Sequence, residues 1–157
     1  MRKTRMITQS ALIAALYVVL TYVSNVFGLA SGVVQVRVSE ALTVLPAFSF
    51  SAVHGLTIGC LAANLLTGAA LWDVVFGSLA TLLGGLGTYY LGKNEYTAPI
   101  FPIAANTAII PFVLKSVYGA AEGYGFLLLT IFLGEFVSCG LLGVILYRGV
   151  RKTKIFK

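Results

Sequence analysis

Glu135 is the residue whose place in the sequence most strongly suggests chemistry. It lies in the middle of a long apolar run, within Gly134-Glu135-Phe136-Val137-Ser138. A charged side chain at the centre of a bilayer costs roughly 2.5–3.5 kcal/mol on insertion scales, so such residues face a bundle interior or a watery cavity and often mark functional sites. The alternative role is a hydrogen-bonded strut between helices. We favour a binding role for this carboxylate.

Other polar groups occupy positions where an apolar chain rarely carries them. Asn106 lies inside a second apolar run, Asn64 precedes a glycine-containing turn, and Trp72 and Asp73 follow that turn. Trp72 also suits a membrane–water interface, and Asp73 also suits a helix N-terminus. Tyr118, between two later apolar runs, offers an aromatic face to a flat ligand.

A third candidate is the segment Gln35-Val36-Arg37-Val38-Ser39-Glu40-Ala41-Leu42-Thr43-Val44-Leu45-Pro46, with Arg37 and Glu40 three residues apart. Valines alternate with polar residues before Ser39, which predicts an extended backbone. Ser39 is then a candidate N-cap for a short helix. The charged pair forms either a salt bridge at the membrane surface or part of a binding site. We favour the site, with the pair acting as lid or pocket wall at the outer mouth.

The composition fixes the environment of these groups. Hydrophobic residues make up 59% of the chain, charged residues 10%, and the mean hydropathy is +0.95, which indicates an integral membrane protein. A spanning helix takes roughly 20 apolar residues. The 157 residues therefore hold six spans only with short loops, as a single membrane domain over residues 1–157.

The apolar runs predict an all-α bundle of six transmembrane helices with a short second helix. Their approximate bounds are 6–28, 40–51, 53–69, 72–92, 98–118 and 124–148.

Basic residues cluster at both ends of the chain, and their distribution predicts the orientation. The clusters are Arg2, Lys3 and Arg5, and Arg148, Arg151, Lys152, Lys154 and Lys157. The positive-inside rule then places both termini in the cytoplasm, with Lys93 inside and Glu40, Asp73 and Glu122 outside. Arg37 falls on the outer side that the rule disfavours, which is why we favour a site role for it. The net charge of +6 thus reflects membrane orientation rather than nucleic-acid binding.

Several function classes lack support in the sequence. It contains no nucleophile–base pair, clustered histidines or metal-ligand spacing, so we expect neither an enzyme nor a metal site. Cys60 and Cys139 are interpreted as core fillers. The stretch 87–94 nearly spells a phosphate-binding loop, but Asn94 stands where Ser or Thr must reach magnesium. Energy for transport would then come from a partner or an ion gradient.

The chain resembles the substrate-binding S component of an energy-coupling factor (ECF) transporter in three features. They are the short-looped spans, the absence of an ATPase motif and the small residues Ala11 and Ala15 in the first helix. Within that group, the segment Val36–Pro46 quoted above, with Asn64-Leu65-Leu66-Thr67-Gly68 and Trp72-Asp73-Val74-Val75-Phe76-Gly77, is similar to the QueT family. Gly55 and Gly59 repeat the spacing of Ala11 and Ala15, so we expect them to serve internal packing.

The resemblance implies uptake of a queuosine precursor, a 7-deazaguanine base, across the bacterial cytoplasmic membrane. It implies a coupling membrane protein and two ATPase subunits as partners, without a cofactor. Ala11 and Ala15 would contact the coupling protein. The S component would topple in the membrane to carry its pocket inward, and the outer loop between the first two helices would be the lid.

The chemistry of such a base suits the polar groups. A guanine-like edge offers two adjacent N–H donors to a carboxylate, and its carbonyl needs a donor. Glu135 or Glu40 could accept the donors, and the carbonyl could be served by Asn64, Asn106 or Arg37. Trp72, Tyr118 or Tyr124 could cover the ring, and Asp73 would attract a protonated aminomethyl group. The rivals are an S component for another vitamin and a self-sufficient transporter in which Glu135 or Asp73 takes up a proton or cation.

Overall fold

The computed structural model describes residues 2–29 and 34–153. The predicted basic residues Lys154 and Lys157, and the middle of the predicted lid, lie outside the described residues.

All regular structure in these two ranges is helical. It consists of α1 (Arg2–Val26), a 3₁₀ helix (Val38–Ala47), α2 (Phe50–Leu66), α3 (Leu71–Leu91), α4 (Ile100–Ser116), and a last helix in three parts: α5 (Tyr124–Glu135), a π-helical segment (Phe136–Leu142) and α6 (Gly143–Thr153). The predicted six-helix, all-α architecture is confirmed, with bounds that differ by a few residues. The short second helix is the 3₁₀ helix.

Within the described residues, three helices are long and apolar enough to cross a membrane: Lys3–Val26, Leu71–Leu91 and Tyr124–Thr153. Two shorter apolar helices, α2 and α4, have 17 residues each. At 1.5 Å per residue they are about 25 Å long, near the lower limit for a span. The 3₁₀ helix, with 10 residues, is too short to cross.

Both ends of the described chain meet the start of α2. Near the N-terminus, the Ser10 hydroxyl donates to the backbone oxygen of Ser51 at 2.8 Å. Near the C-terminus, the ring of Tyr147 packs on Phe48 with centroids 4.6 Å apart. The two termini therefore lie at the same end of the bundle.

Glycines bring α1 and α2 into close contact. A Cβ added at Gly55 would lie 2.9 Å from Cβ of Ile13, and one at Gly59 would lie 2.9 Å from Cβ of Tyr17. Small residues let helix backbones approach in this way inside membranes. The expected internal packing role of this glycine pair is confirmed.

The 3₁₀ helix forms the centre of the bundle. It contacts α1, α2, α3, the π-helical segment and α6, and every residue from Ser39 to Pro46 is buried. The extended backbone predicted before it is confirmed at Arg37 (φ −109°, ψ 107°).

The predicted N-cap role of Ser39 is wrong. Arg37 occupies the cap position without a side-chain cap. The hydroxyl of Ser39 instead accepts from Thr21 of α1 at 2.8 Å, because a buried hydroxyl facing another helix finds its partner there. This bond helps to fix the 3₁₀ helix against α1.

Candidate functional site

Most of the polar residues singled out in the sequence converge on one cleft inside the bundle. It is walled by the start of the 3₁₀ helix, the later part of α2, the start of α3, the middle of α4 and the end of α5. The lining residues are Gln35, Arg37, Glu40, Cys60, Asp73, Gly77, Asn106, Ile110, Ile131 and Glu135. Arg37 and Glu40 therefore form an interior wall of the bundle.

The cleft is nearly closed. Its cavity measures about 40 Å³, a few times the roughly 10–15 Å³ that one water molecule needs. A two-ring base enters only if the walls move apart.

Glu40 is the most deeply buried charged group of the cleft, with 3% of its surface exposed. The Tyr17 hydroxyl, itself only 1% exposed, donates to Oε1 of Glu40. Oε2 of Glu40 has no hydrogen-bond partner. One oxygen of this carboxylate is thus held by the protein, and the other is free for a ligand.

Arg37 interacts electrostatically with both Glu40 and Glu135. The alternative of a surface salt bridge between Arg37 and Glu40 is wrong, because within the described ranges the one ion pair shorter than 4.0 Å joins Arg148 to Glu95. The guanidinium instead faces a shared interior space, where it offsets part of the negative charge.

Glu135 lies next to a second carboxylate and a thiol. Cys139, one turn later, donates to its Oε2 at 3.2 Å, and ligand atoms of Glu40, Glu135 and Cys139 lie within 4.8 Å of one another. Two buried carboxylates this close repel each other, and the arrangement suits a ligand that brings N–H donors or positive charge. A cation held by these three residues would meet the opposing charge of Arg37.

Residues Gln35–Arg37, here called the strap, lie against α5 and the π-helical segment. The backbone N–H of Arg37 donates to the hydroxyl of Ser138 at 3.1 Å. The carbonyl oxygen of Gln35 sits directly on Gly134, where an added Cβ would lie 3.1 Å from the carbonyl carbon. The missing side chain at position 134 therefore lets the strap reach the cleft.

Asn106 supplies an amide from α4. Its side chain interacts with the Glu135 carboxylate and is 5% exposed, and its Nδ2 has no partner within 3.5 Å among the described residues. It is a buried donor directed at the same small space as the carboxylates.

Three other predicted residues do not line the cleft. Nδ2 of Asn64 donates to the backbone oxygen of Asp73 at 3.4 Å, which fixes the α2–α3 turn behind the wall. Trp72 is 48% exposed and stacks on Phe76 with ring centroids 5.8 Å apart. Tyr118 faces Asp73 at the rim, where partial desolvation and the carboxylate raise the pKa of its phenol.

Some residues of the site gave no clear signal in the sequence. Tyr17 lies in an ordinary apolar helix, and only the rule that a buried tyrosine hydroxyl needs a partner points to it. Cys139, predicted as a core filler, is buried but also donates to a carboxylate. Cys60, predicted likewise, lines the cleft.

A larger concavity of about 880 Å³ runs along α4, α5, the π-helical segment and α6. Its walls are apolar, with Phe132 and Phe136 among them, and carry no charged side chain. It suits hydrocarbon chains of the membrane better than a polar solute, so we place the candidate site in the smaller, charged cleft.

Comparison with known proteins supports a membrane protein. No solved structure matches the chain. A curated protein of Lactococcus lactis subsp. cremoris (strain MG1363), the queuosine precursor transporter QueT, is 32% identical over 148 residues, covering 87% of this chain and 86% of that protein. The family model described as QueT transporter matches residues 7–152. The chain therefore belongs to the QueT transporter family.

Proposed function

We propose that this protein captures a queuosine precursor, a 7-deazaguanine base, as the S component of an ECF-type importer. The observation that carries the proposal is the buried cleft in which Glu40, Glu135 and Asn106 present unpaired or ligand-accessible polar groups, in a chain whose relative is named a queuosine precursor transporter.

The charge and hydrogen-bonding capacity of the cleft support this ligand class. A guanine-like edge brings adjacent N–H donors for carboxylates and a carbonyl for an amide donor. Three carboxylates, from Glu40, Asp73 and Glu135, share the cleft with one guanidinium. A protonated aminomethyl substituent would offset the remaining negative charge, with Asp73 nearest the rim.

The proposed route runs from outside to inside. The positive-inside rule places the end with both termini in the cytoplasm, and the cleft lies toward the opposite end of a multi-pass protein in the bacterial cytoplasmic membrane. Because the cavity of about 40 Å³ is too small for a base, loading requires the strap to move away from α5.

The energy source is proposed to be a separate module. The sequence has no ATPase motif, so a coupling membrane protein and two ATPase subunits would drive release. Ala11 and Ala15 are exposed on α1, whereas Ile13 and Tyr17 face α2. These two small residues are therefore accessible to the coupling protein. The S component would topple against that partner. The chain acts by binding and movement, without covalent chemistry.

A thermal-shift panel of deazaguanines and vitamins on the purified chain tests the ligand class. We expect stabilisation by 7-deazaguanine bases, and its loss in Glu135→Ala with folding retained. Stabilisation by a vitamin alone would contradict the ligand assignment.

Partner dependence is tested separately. Ala15→Trp should keep ligand binding and prevent assembly with the coupling protein, since a large side chain blocks close helix approach. The buried carboxylates also suit proton or cation coupling. Uptake into proteoliposomes by the chain alone under an ion gradient would therefore refute the S-component role.

A further inference from the structure

Two buried polar atoms of the cleft lack a hydrogen-bond partner, and they have opposite polarity. Oε2 of Glu40 is an acceptor, and Nδ2 of Asn106 is a donor. A buried polar group without a partner costs about 1–3 kcal/mol, and in native proteins such a group calls for an explanation. A ligand that presents both an N–H and a carbonyl oxygen would satisfy both atoms.

Glu135 neighbours both of these residues. The amide of Asn106 interacts with its carboxylate, and an oxygen of Glu40 lies within 4.8 Å of a carboxylate oxygen of Glu135. Glu135 is thus the acceptor that links the donor Asn106 to the second acceptor, Glu40.

Tyr17 restricts how Glu40 can bind. Its hydroxyl already donates to Oε1 of Glu40, which leaves Oε2 as the oxygen free for a ligand. Glu40 is therefore poorly placed to accept two adjacent N–H groups through both of its oxygens. With Glu135 close by, the two donors of a guanine-like edge are more simply divided between the carboxylates.

Building on the proposed function, we infer that Asn106, Glu135 and Glu40 recognise the carbonyl, the ring N–H and the exocyclic amine of the base in that order. This order follows the edge itself, since the carbonyl and the amine flank the ring N–H. Glu40, the deepest of the three, then selects for the exocyclic amine, and Asn106 selects for a carbonyl over an amine.

Three ligands test the assignment on the wild-type chain by calorimetry. They are 7-deazaguanine, 7-deazahypoxanthine, which lacks the exocyclic amine, and 7-deaza-2,6-diaminopurine, in which an amine replaces the carbonyl and the ring nitrogen beside it no longer carries hydrogen. Each lost hydrogen bond should weaken binding roughly tenfold to hundredfold, as expected for a hydrogen bond to a charged or buried group. Equal affinity for the diaminopurine would overturn the roles of Asn106 and Glu135 together, without requiring any variant.

Matched variants then distinguish the two carboxylates. In Tyr17→Phe/Glu40→Met both partners of the buried hydrogen bond are replaced by apolar groups, which limits the cost to folding. The preference for 7-deazaguanine over 7-deazahypoxanthine should disappear in this variant. In Glu135→Met, overall affinity should fall while the preference for 7-deazaguanine over 7-deazahypoxanthine remains.

The reverse pattern, with the preference lost in Glu135→Met and kept in Tyr17→Phe/Glu40→Met, would overturn the order while leaving the proposed function intact. If the folded wild-type chain binds none of the three deazapurines, the proposed function and the order are refuted together.

Discussion

Gly134→Ala is expected to damage ligand binding more than folding, because the added methyl group meets the strap. Its Cβ would lie 3.1 Å from the carbonyl carbon of Gln35, and closer still to the oxygen. Ordinary contact requires the strap to shift by about 1 Å, a scale at which small displacements of a binding site matter. Such a shift strains the bond from Arg37 N–H to the Ser138 hydroxyl.

The expected changes in folding stability and in ligand affinity differ in size. Overpacking costs about 1–3 kcal/mol, while alanine in place of glycine inside a helix returns about 1 kcal/mol. The free energy of unfolding should therefore fall by only about 0–2 kcal/mol. Displacing Gln35 and Arg37 from the cleft removes the equivalent of one charge-assisted hydrogen bond to the ligand, so affinity should fall roughly tenfold to hundredfold.

Calorimetric titration of 7-deazaguanine into the purified variant, together with its melting curve, measures both quantities. Gly125→Ala is the matched control, since it lies on the same helix and an added Cβ meets nothing within 4 Å. The control should bind like wild type. If Gly134→Ala also binds like wild type, the strap is not part of the binding site.

Three further substitutions test other parts of the structure. Tyr17→Phe leaves an oxygen of Glu40 without its donor and should lower the free energy of unfolding by about 1–3 kcal/mol; an unchanged melting temperature would show that the bond contributes nothing. Trp72→Ala should leave ligand affinity unchanged, because this side chain is turned outward; a tenfold loss would place it against the ligand. The hydrogen bond from Arg148 lowers the pKa of Glu95, so the stabilisation by this pair is present at neutral pH and is lost as the pH falls through the lowered value. Glu95→Gln should therefore flatten the acid side of a plot of melting temperature against pH, and an unchanged slope would contradict that linkage.

The helical architecture was predictable because each helix coincides with an apolar run bounded by glycine, proline or charge. Glu135, Asn106 and Asp73 were predictable as site residues, because a polar group that interrupts an apolar helix is costly unless it faces the interior. Both principles depend on local sequence alone.

The details of the cleft depend on contacts between distant parts of the chain. Tyr17 and Glu40 are 23 residues apart, and no periodicity in either segment links them. Nor does local propensity reveal that the segment after Arg37 runs through the middle of the bundle, because Ser39 would suit an exposed helix cap equally well. Gly134 resembles any helix glycine until the carbonyl of Gln35 is seen against it.

The central position of the 3₁₀ helix has a consequence for biogenesis. This segment is too short to be inserted as a membrane span, and its surfaces are covered by α1, α2, α3, α6 and the π-helical segment. It can be enclosed only after those helices are in the bilayer, the second stage of membrane-protein folding. A substitution that disrupts the packing of the 3₁₀ helix should therefore yield a chain that is inserted with normal topology but is sensitive to proteases. Insertion assays alone would miss such a folding defect.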